Sequence, residues 1–311
     1  MSFKYTEDNK RYHTLNFYNK QKYGCKVYKA AINASLTCPN IDGFLGFGGC
    51  IYCESGSAYF TNKNLSVKEQ INAEIERINK NAKQNKFIAY FQSNTNTYTD
   101  IDTLKNMLDT ACGFDEVVGI TLSTRTDCID DEKLELLSKY NEKKEISLEF
   151  GLQSIHNETL EFINRCQTFE SFLKGYEKVK KYGFRSCIHI INGLPCETAD
   201  MMLETAKTVG SLSPDGLKIH MLHISKGTRL AEMYNENPFY LLSRDEYIDI
   251  VANQLMFIPA STVIERLTGD GDKSKLIAPM WTADKIAVLG GIDKRMAELN
   301  IFQGMKLDKD F

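Results

Sequence analysis

Three cysteines lie close together early in the chain, in the spacing C-x11-C-x2-C. They are Cys38, Cys50 and Cys53, and the segment 33–60 around them is rich in glycine, so we predict a wrapped loop rather than a helix or a strand. A structural zinc ion takes four protein ligands, and an iron–sulfur cubane is usually held by four cysteines. Three thiolates therefore indicate either a cubane with one open iron or a zinc site that lacks one ligand.

The elements that must position this loop alternate along the chain. Short apolar runs, typical of buried strands, are each followed by a segment with helical spacing. The predicted strands are 25–34, 87–92, 117–122, 146–151, 185–191 and 216–222, and the predicted helices are 67–83, 100–111, 130–141, 157–164, 168–182 and 198–211. This order predicts an α/β fold of parallel strands, a (β/α)6 partial TIM barrel, with its chemistry at the carboxyl ends of the strands.

Additions are expected at both ends of the barrel. We predict an N-terminal arm over 1–24, the barrel over 25–235, and a C-terminal extension over 236–311 that packs on the barrel. The extension carries helical patterns at 243–257 and 283–299 and a short strand near 262–266. Each predicted barrel strand ends in a polar loop, so these loops should meet at one rim together with the cysteine loop.

Composition places the protein among ordinary globular chains. Of its 311 residues, 42% are hydrophobic and 25% are charged, and the net charge of −3 does not by itself indicate a nucleic-acid or membrane partner. The N-terminus lacks the apolar core of a signal peptide, and no run approaches the roughly 20 apolar residues that cross a bilayer. We therefore expect a cytoplasmic protein without membrane contact, in which nine cysteines favour metal or redox chemistry over disulfides.

Several motifs at the predicted strand ends resemble those of the radical SAM superfamily. Beside the cysteine loop they are FQSNTNTY (91–98), STRTDCI (123–129), LEFGLQS (148–154) followed by Asn164-Arg165, and INGLPCET (191–198). The usual cysteine spacing in that superfamily is C-x3-C-x2-C, and the longer spacing found here resembles a bacterial subfamily related to the catalytic subunit of Elongator. The chain departs from that subfamily at Ser35, Ile41 and Cys196, none of which is a presumed cluster ligand.

The resemblance implies both the cofactors and the residues that bind them. Cys38, Cys50 and Cys53 would hold a [4Fe-4S] cluster whose fourth iron binds S-adenosylmethionine, which the reduced cluster cleaves to a 5′-deoxyadenosyl radical. Other residues would contact S-adenosylmethionine along the rim: Tyr52 at the adenine, Asn94, Thr95 and Ser123 at the methionyl end, Gln153 and Arg165 as polar contacts, His189 at the ribose, and Glu149.

Each of these residues also has an ordinary structural interpretation. Tyr52 is also interpreted as a packing residue of the loop, and Arg165 is spaced to pair with Glu161 one helical turn earlier. His189 is placed as a core histidine, and Glu149 as the buried partner of a structural arginine.

Three further residues lie outside that set. Cys196 follows a proline at a strand end and is a candidate for a second redox group, whereas the other non-loop cysteines are interpreted as packing residues. His220 and His223 are expected to point to opposite faces of the sixth strand.

The Elongator-type resemblance implies that the substrate is a tRNA base, the wobble uridine. The stretches 20–29 and 174–181 would supply the basic residues for RNA, and a flavodoxin or ferredoxin would supply electrons. Two alternatives stay open. One is an oxidoreductase that acts on a small molecule of the porphyrinogen type, and the other is a non-enzymatic cluster scaffold, which requires a fourth protein ligand.

Overall fold

Seven parallel strands form the main sheet of the computed structural model, which describes residues 3–54, 61–80, 85–269 and 271–307. The strands are β1 (Val27–Ile32), β2 (Lys86–Phe91), β3 (Val117–Thr124), β4 (Glu145–Gln153), β5 (Arg185–Asn192), β6 (Gly216–Met221) and β8 (Val263–Arg266), side by side in that order. A separate antiparallel pair joins β7 (Ile224–Ser225) to β9 (Leu276–Ala278). The main sheet curls into a half-barrel, which confirms the predicted fold class.

Helices follow most strands and cover the sheet. They are α1 (Leu15–Tyr23), α2 (Val67–Asn79), α3 (Ile101–Cys112), α4 (Asp131–Asn141), α5 (Asn157–Phe162), α6 (Phe169–Lys181), α7 (Ala199–Ser211), α8 (Arg229–Glu236), α9 (Arg244–Leu255) and α10 (Lys285–Glu298). Polar N-caps fix where they begin, and Ser66 of α2 forms a capping box with Glu69. None of the helices in the described ranges is long and apolar enough to span a membrane.

The predicted elements are all present, with shifted boundaries. The first strand begins at Val27 rather than at 25, and β4 is longer than predicted because its pairing with β5 continues to Gln153. Helix α2 ends at Asn79, and the remaining predicted positions 81–83 lie outside the described residues.

The two ends of the chain meet at the outer strand of the sheet. Strand β8, from the segment 236–311, pairs in parallel with β6 and becomes the seventh strand of the half-barrel. On its other side, Thr14 of the N-terminal arm forms a parallel bridge with Ile264, whose N–H donates to His13 O over 2.7 Å. The arm therefore bonds the edge of β8 that would otherwise be open.

A small hydrophobic cluster fastens the cysteine loop to the rim of the barrel. Ile51, which lies between two of the cysteines, packs with apolar residues of α5 and α8. Its N–H donates to Ile163 O over 3.0 Å, and its carbonyl accepts from Leu230 N–H over 2.9 Å. Burial and backbone bonding together fix the position of the loop relative to the strands.

Candidate functional site

One cavity at the carboxyl ends of the strands is lined by all the residues expected to bind the cluster and S-adenosylmethionine. Its volume is about 330 Å³. The three cysteines and the eight expected cofactor contacts all line it: Cys38, Cys50, Cys53, Tyr52, Asn94, Thr95, Ser123, Glu149, Gln153, Arg165 and His189. The structure thus brings together side chains that are up to 151 positions apart in the sequence, as the parallel topology requires.

The cysteine loop turns back on itself between Cys38 and Cys50. Gly43 N–H donates to Gly46 O over 3.0 Å, and the chain then passes through Gly48 and Gly49 with φ of +78° and +75°. Side-chain-bearing residues rarely adopt this left-handed backbone, so the adjacent glycines allow the turn that presents Cys50 to the cavity.

Two asparagines tie this loop to the segment after α5. Asn40 is fully buried, and its Nδ2 donates to Asn164 O over 2.5 Å and approaches Cys50 Sγ at 3.6 Å. Asn164 Nδ2 in turn donates to Gly49 O over 2.8 Å. Sequence reasoning overlooked these positioning roles, although the left-handed φ of Asn164 is one that asparagine favours.

The three thiols form a donor set that suits a metal cluster. Burial, together with the nearby Cys50 and Cys38, raises the pKa of Cys53 to about 12, while Arg165 acts in the opposite direction. Such thiols are stabilised as thiolates when they bind metal.

The spacing of the sulfur atoms bears on which metal this is. Within the described ranges, Glu149, Cys187 and His189 have donor atoms that all lie within 4.8 Å of one another. The three loop cysteines do not meet this distance. Sulfur ligands of one tetrahedral zinc ion are only about 3.8 Å apart, given a Zn–S distance of about 2.3 Å. At least one pair of the loop sulfurs is therefore more than 4.8 Å apart, which is farther than the sulfur ligands of one zinc ion.

The compact set around Glu149 already holds cations of the protein itself. Lys218 Nζ lies 2.6 Å from Glu149 Oε2, and Lys29 Nζ lies 3.3 Å from Oε1. Tyr90 Oη donates to the same carboxylate over 2.7 Å, and Ser123 Oγ over 3.3 Å. These contacts fill the position that a metal ion would take.

The electrostatic consequence is a permanently ionised carboxylate. Burial alone would raise the pKa of Glu149, but the charges of Lys218 and Lys29 outweigh it and hold the pKa well below its usual range. The interpretation of Glu149 as a buried partner of an arginine is thus corrected, because lysines take that place. Its contact with the cofactor stays a prediction.

The network continues below Glu149 towards the other end of the barrel. Lys29 Nζ also contacts Glu265 Oε2 at 3.0 Å, and Arg185 Nη1 contacts Glu265 Oε1 at 2.7 Å. Sequence reasoning assigned Lys29 to a basic surface stretch and did not consider Lys218, Glu265 or Arg185. The sequence did contain a signal for this network, because Lys218 lies inside the apolar run of β6. A charge in a strand that is covered on both faces needs a buried partner.

Arg165 faces the cavity and is not paired with Glu161. Its Nε and Nη2 donate to Gly151 O over 3.2 and 2.6 Å. Within the described ranges, no ion pair joins Arg165 to Glu161. A Cβ at Gly151 would lie 2.4 Å from Gln153 Nε2, so this glycine leaves room for the amide of Gln153.

Arg125, of the STRTD motif, acts on the same segment. It forms a two-fold contact with Asp127 at 2.9 and 2.7 Å and donates to the carbonyls of Arg165 and Cys166, each over 2.9 Å. The motif therefore holds the backbone around Arg165, a role that sequence reasoning did not assign to it.

Asn94 and Thr95 connect the loop after β2 to the residues before Cys38. Asn94 Nδ2 donates to Leu36 O over 2.7 Å, and Thr95 N–H donates to Thr37 O over 3.2 Å. These bonds make the two residues supports of the cysteine loop as well as members of the cavity wall.

Tyr52 faces the same cavity from inside the cysteine loop. Burial raises the pKa of Tyr52 well above its usual range, and the neighbouring Cys50 adds to the effect. The phenol therefore stays neutral and offers a flat apolar surface beside the thiols.

The remaining residues singled out from the sequence are three histidines and Cys196. His189 lines the cavity and stacks on His220, with ring centroids 5.4 Å apart and planes at 20°. The prediction that His220 and His223 face opposite ways was wrong, because β6 ends at Met221 and both rings line the cavity. Cys196 is exposed in the turn after β5 and is not among the lining residues, so its redox role stays a prediction.

Comparisons with known proteins decide the family. The family model for the radical SAM superfamily matches residues 47–209, and the model for the Radical_SAM C-terminal domain matches residues 214–298. The chain belongs to the radical SAM superfamily. It is also 40% identical to the protein YtqA of Bacillus subtilis over 304 residues, which are 97% of this chain and 94% of YtqA. The family uses a [4Fe-4S] cluster and S-adenosylmethionine, so both predicted cofactors are confirmed.

More distant relatives include proteins of the Elongator type. The structure of archaeal Elp3 from Methanocaldococcus infernus superimposes with a TM-score of 0.69 at 19% identity, covering 89% of this chain and 64% of Elp3. The tRNA uridine(34) acetyltransferase of Methanocaldococcus jannaschii is 26% identical over 156 residues, which are 49% of this chain and 28% of that enzyme. The chain therefore spans about two thirds of the Elp3 structure, and its fold is the shared property.

Proposed function

We propose that this protein is a radical SAM enzyme that modifies a tRNA base, the wobble uridine. The observation that carries the proposal is the convergence of three loop cysteines and eight polar or aromatic side chains on one cavity at the strand ends. The name of the archaeal tRNA uridine(34) acetyltransferase, a relative over half of this chain, supports the substrate class.

In this proposal the cysteine loop holds the cluster, and the strand ends hold S-adenosylmethionine. Cys38, Cys50 and Cys53 would hold the cluster, which when bound and reduced would supply the electron that cleaves S-adenosylmethionine into methionine and the 5′-deoxyadenosyl radical. Arg165 has a planar guanidinium that suits a carboxylate, and Tyr52 offers a flat face to the adenine. Asn94, Thr95, Ser123, Glu149, Gln153 and His189 complete the cofactor contacts.

The RNA would approach the rim that carries the cavity. The basic stretches 20–29 and 174–181 do not reach this rim, because α1 and the end of α6 lead into the amino ends of β1 and β5. Several of their charges are also paired, since Lys178 contacts Asp131 at 2.9 Å and Lys180 contacts Asp215 at 3.6 Å. We therefore assign RNA contact to the loops at the carboxyl ends of the strands and not to these stretches.

An external reductant must supply the electron, and we propose a flavodoxin or a ferredoxin. The tip of the cysteine loop gives such a donor a short approach, because Phe44 and Phe47 are 73% and 79% exposed there. Exposed apolar side chains of this size commonly mark contact surfaces.

The test compares the modified nucleosides of tRNA from cells with and without this gene, by liquid chromatography and mass spectrometry. We expect one wobble-uridine derivative to disappear in the deletion strain and to return with the wild-type gene but not with Cys50→Ala. Identical profiles would reject the tRNA substrate.

A second candidate is an oxidoreductase that acts on a small molecule. It is favoured by the stacked pair of His189 and His220, which lines the cavity and offers two rings to a compact substrate. Unchanged tRNA together with 5′-deoxyadenosine formation by the anaerobically reconstituted protein would support it over the first. A protein that binds zinc and forms no 5′-deoxyadenosine would instead support the scaffold.

A further inference from the structure

We propose that His220 binds the substrate base in the lumen, through a hydrogen bond between its imidazole and a polar atom of the base. The side chain lies on β6 and lines the cavity at the strand ends. The inference rests on the proposed function for the identity of the base, a uracil. It adds a substrate contact to a cavity whose other residues are assigned to the cluster and to S-adenosylmethionine.

The register of the strands determines the depth of His220 in the barrel. Strands β5 and β6 are parallel, and His189 is paired with Lys218 one layer below the pair of Ile191 and His220. Residues two positions apart on a strand point to the same face, and both Lys218 and His220 line the cavity. His220 is closer to the carboxyl end of β6, so it lies nearer to the open rim than the buried pair of Lys218 and Glu149.

His220 has a polar atom that the protein itself does not use. Its Nε2 is buried and has no hydrogen-bond partner within the described ranges. The cation one layer below is occupied, since Lys218 Nζ donates to Glu149 Oε2 over 2.6 Å and to Tyr90 Oη over 3.1 Å. A buried polar atom without a partner is unfavourable, so a ligand group that bonds to it gains binding free energy.

The ring of His220 is held in place and is uncharged. It stacks on His189, with ring centroids 5.4 Å apart and planes at 20°. Burial lowers the pKa of His220 well below its usual value, so the imidazole is neutral near pH 7. A neutral imidazole has one donor and one acceptor nitrogen, which suits the carbonyl oxygens and the imide N–H on the edge of a uracil ring.

The wall beside His220 is apolar. Ile191 is its partner on β5, Leu222 lies two positions further along the chain, and both line the cavity. Apolar walls with a few placed polar groups are typical of sites that bind a small flat molecule. His189 is the proposed contact of the cofactor ribose, so a base bonded to His220 would lie beside the ribose end of S-adenosylmethionine.

The experiment measures RNA binding by fluorescence anisotropy, anaerobically, to the reconstituted protein with S-adenosylmethionine and without a reductant. The two probes are an anticodon stem–loop RNA with uridine at the wobble position and the same RNA with an abasic site there. We expect the wild type to bind the uridine RNA about tenfold to hundredfold more tightly than the abasic RNA. His220→Phe keeps an aromatic ring against His189 but removes the nitrogens, so it should bind the uridine RNA about tenfold more weakly and the abasic RNA unchanged.

Further variants separate the hydrogen bond from the packing of the ring. His220→Gln and His220→Met have side chains of similar size, and only the glutamine variant, which offers an amide, should keep the preference for uridine. This pair also decides the matter if His220→Phe does not fold. His156→Phe is the matched control and should bind both RNAs as the wild type does, because His156 is not among the residues that line the cavity.

Four results would overturn the contact between His220 and the base. They are binding of neither RNA or equal binding of both by the wild type, an equal loss for both RNAs in folded His220→Phe, an unchanged preference in that variant, and a His220→Met variant as selective as His220→Gln. Failure of the tRNA proposal appears separately, as an unchanged nucleoside profile in the deletion strain.

Discussion

Replacing Glu149 by glutamine removes the carboxylate that contacts both Lys218 and Lys29 inside the barrel. Glu149 and Lys218 have side chains that are each only 1% exposed, so water cannot replace the lost contact of 2.6 Å. Removing one partner of such a buried pair costs about 3–5 kcal/mol, because the other charge stays buried without compensation. We expect a loss of this size in the free energy of unfolding, measured by urea denaturation with far-UV circular dichroism.

A double-mutant cycle separates this effect from general damage. Glu149→Gln combined with Lys218→Met removes both charges, so the double variant should be more stable than the sum of the single effects by about 2 kcal/mol. Lys178→Met is the surface control, since its pair with Asp131 is largely exposed and should contribute only about 0–1 kcal/mol. Additive single effects, or a Glu149→Gln variant within about 1 kcal/mol of the wild type, would refute the reasoning.

The remaining predictions concern the cysteine loop and the response to acid. Cys50→Ala should abolish the visible absorbance of the reconstituted cluster and 5′-deoxyadenosine formation, whereas Cys166→Ala should keep both; loss of the cluster in Cys166→Ala would identify a fourth protein ligand. Asn164→Ala removes the donor to Gly49 O over 2.8 Å and should weaken the loop by about 1–3 kcal/mol, seen as faster bleaching of the cluster in air than in the wild type. Burial lowers the pKa of His189. The pKa of Glu149 is also lowered, because the charges of Lys218 and Lys29 outweigh the effect of burial. The unfolded state therefore binds more protons than the native state. The free energy of unfolding should therefore fall as the pH drops below about 6.5, more steeply below about 4.5, and a curve that is flat between pH 7 and 4 would contradict this.

The outline of the fold could be predicted because local patterns determine it. Apolar runs such as 117–122 and 146–151 gave β3 and β4, and their alternation with helices left a parallel sheet as the consistent arrangement. Parallel strands in turn place their carboxyl ends on one rim, so the meeting of Cys38 with residues as distant as His189 followed from topology alone.

The faces of individual side chains could not be predicted in the same way. Strands that are covered on both sides show long apolar runs instead of strict alternation, so the sequence does not tell which residues point into the lumen. Lys29 was therefore assigned to a basic surface, although it contacts Glu149 and Glu265 inside the barrel.

By itself, the sequence determined the three cysteines, their unusual spacing, the strand order and the rim on which the polar loops meet. Only the tertiary structure decided that Lys218, Glu149 and Glu265 form one buried network, and that Asn164 holds the cysteine loop. The physical reason is the distance in sequence over which each effect acts. Propensity and periodicity act between neighbours in the chain, whereas a buried charge is matched by a residue of whichever strand the curvature of the sheet brings opposite to it.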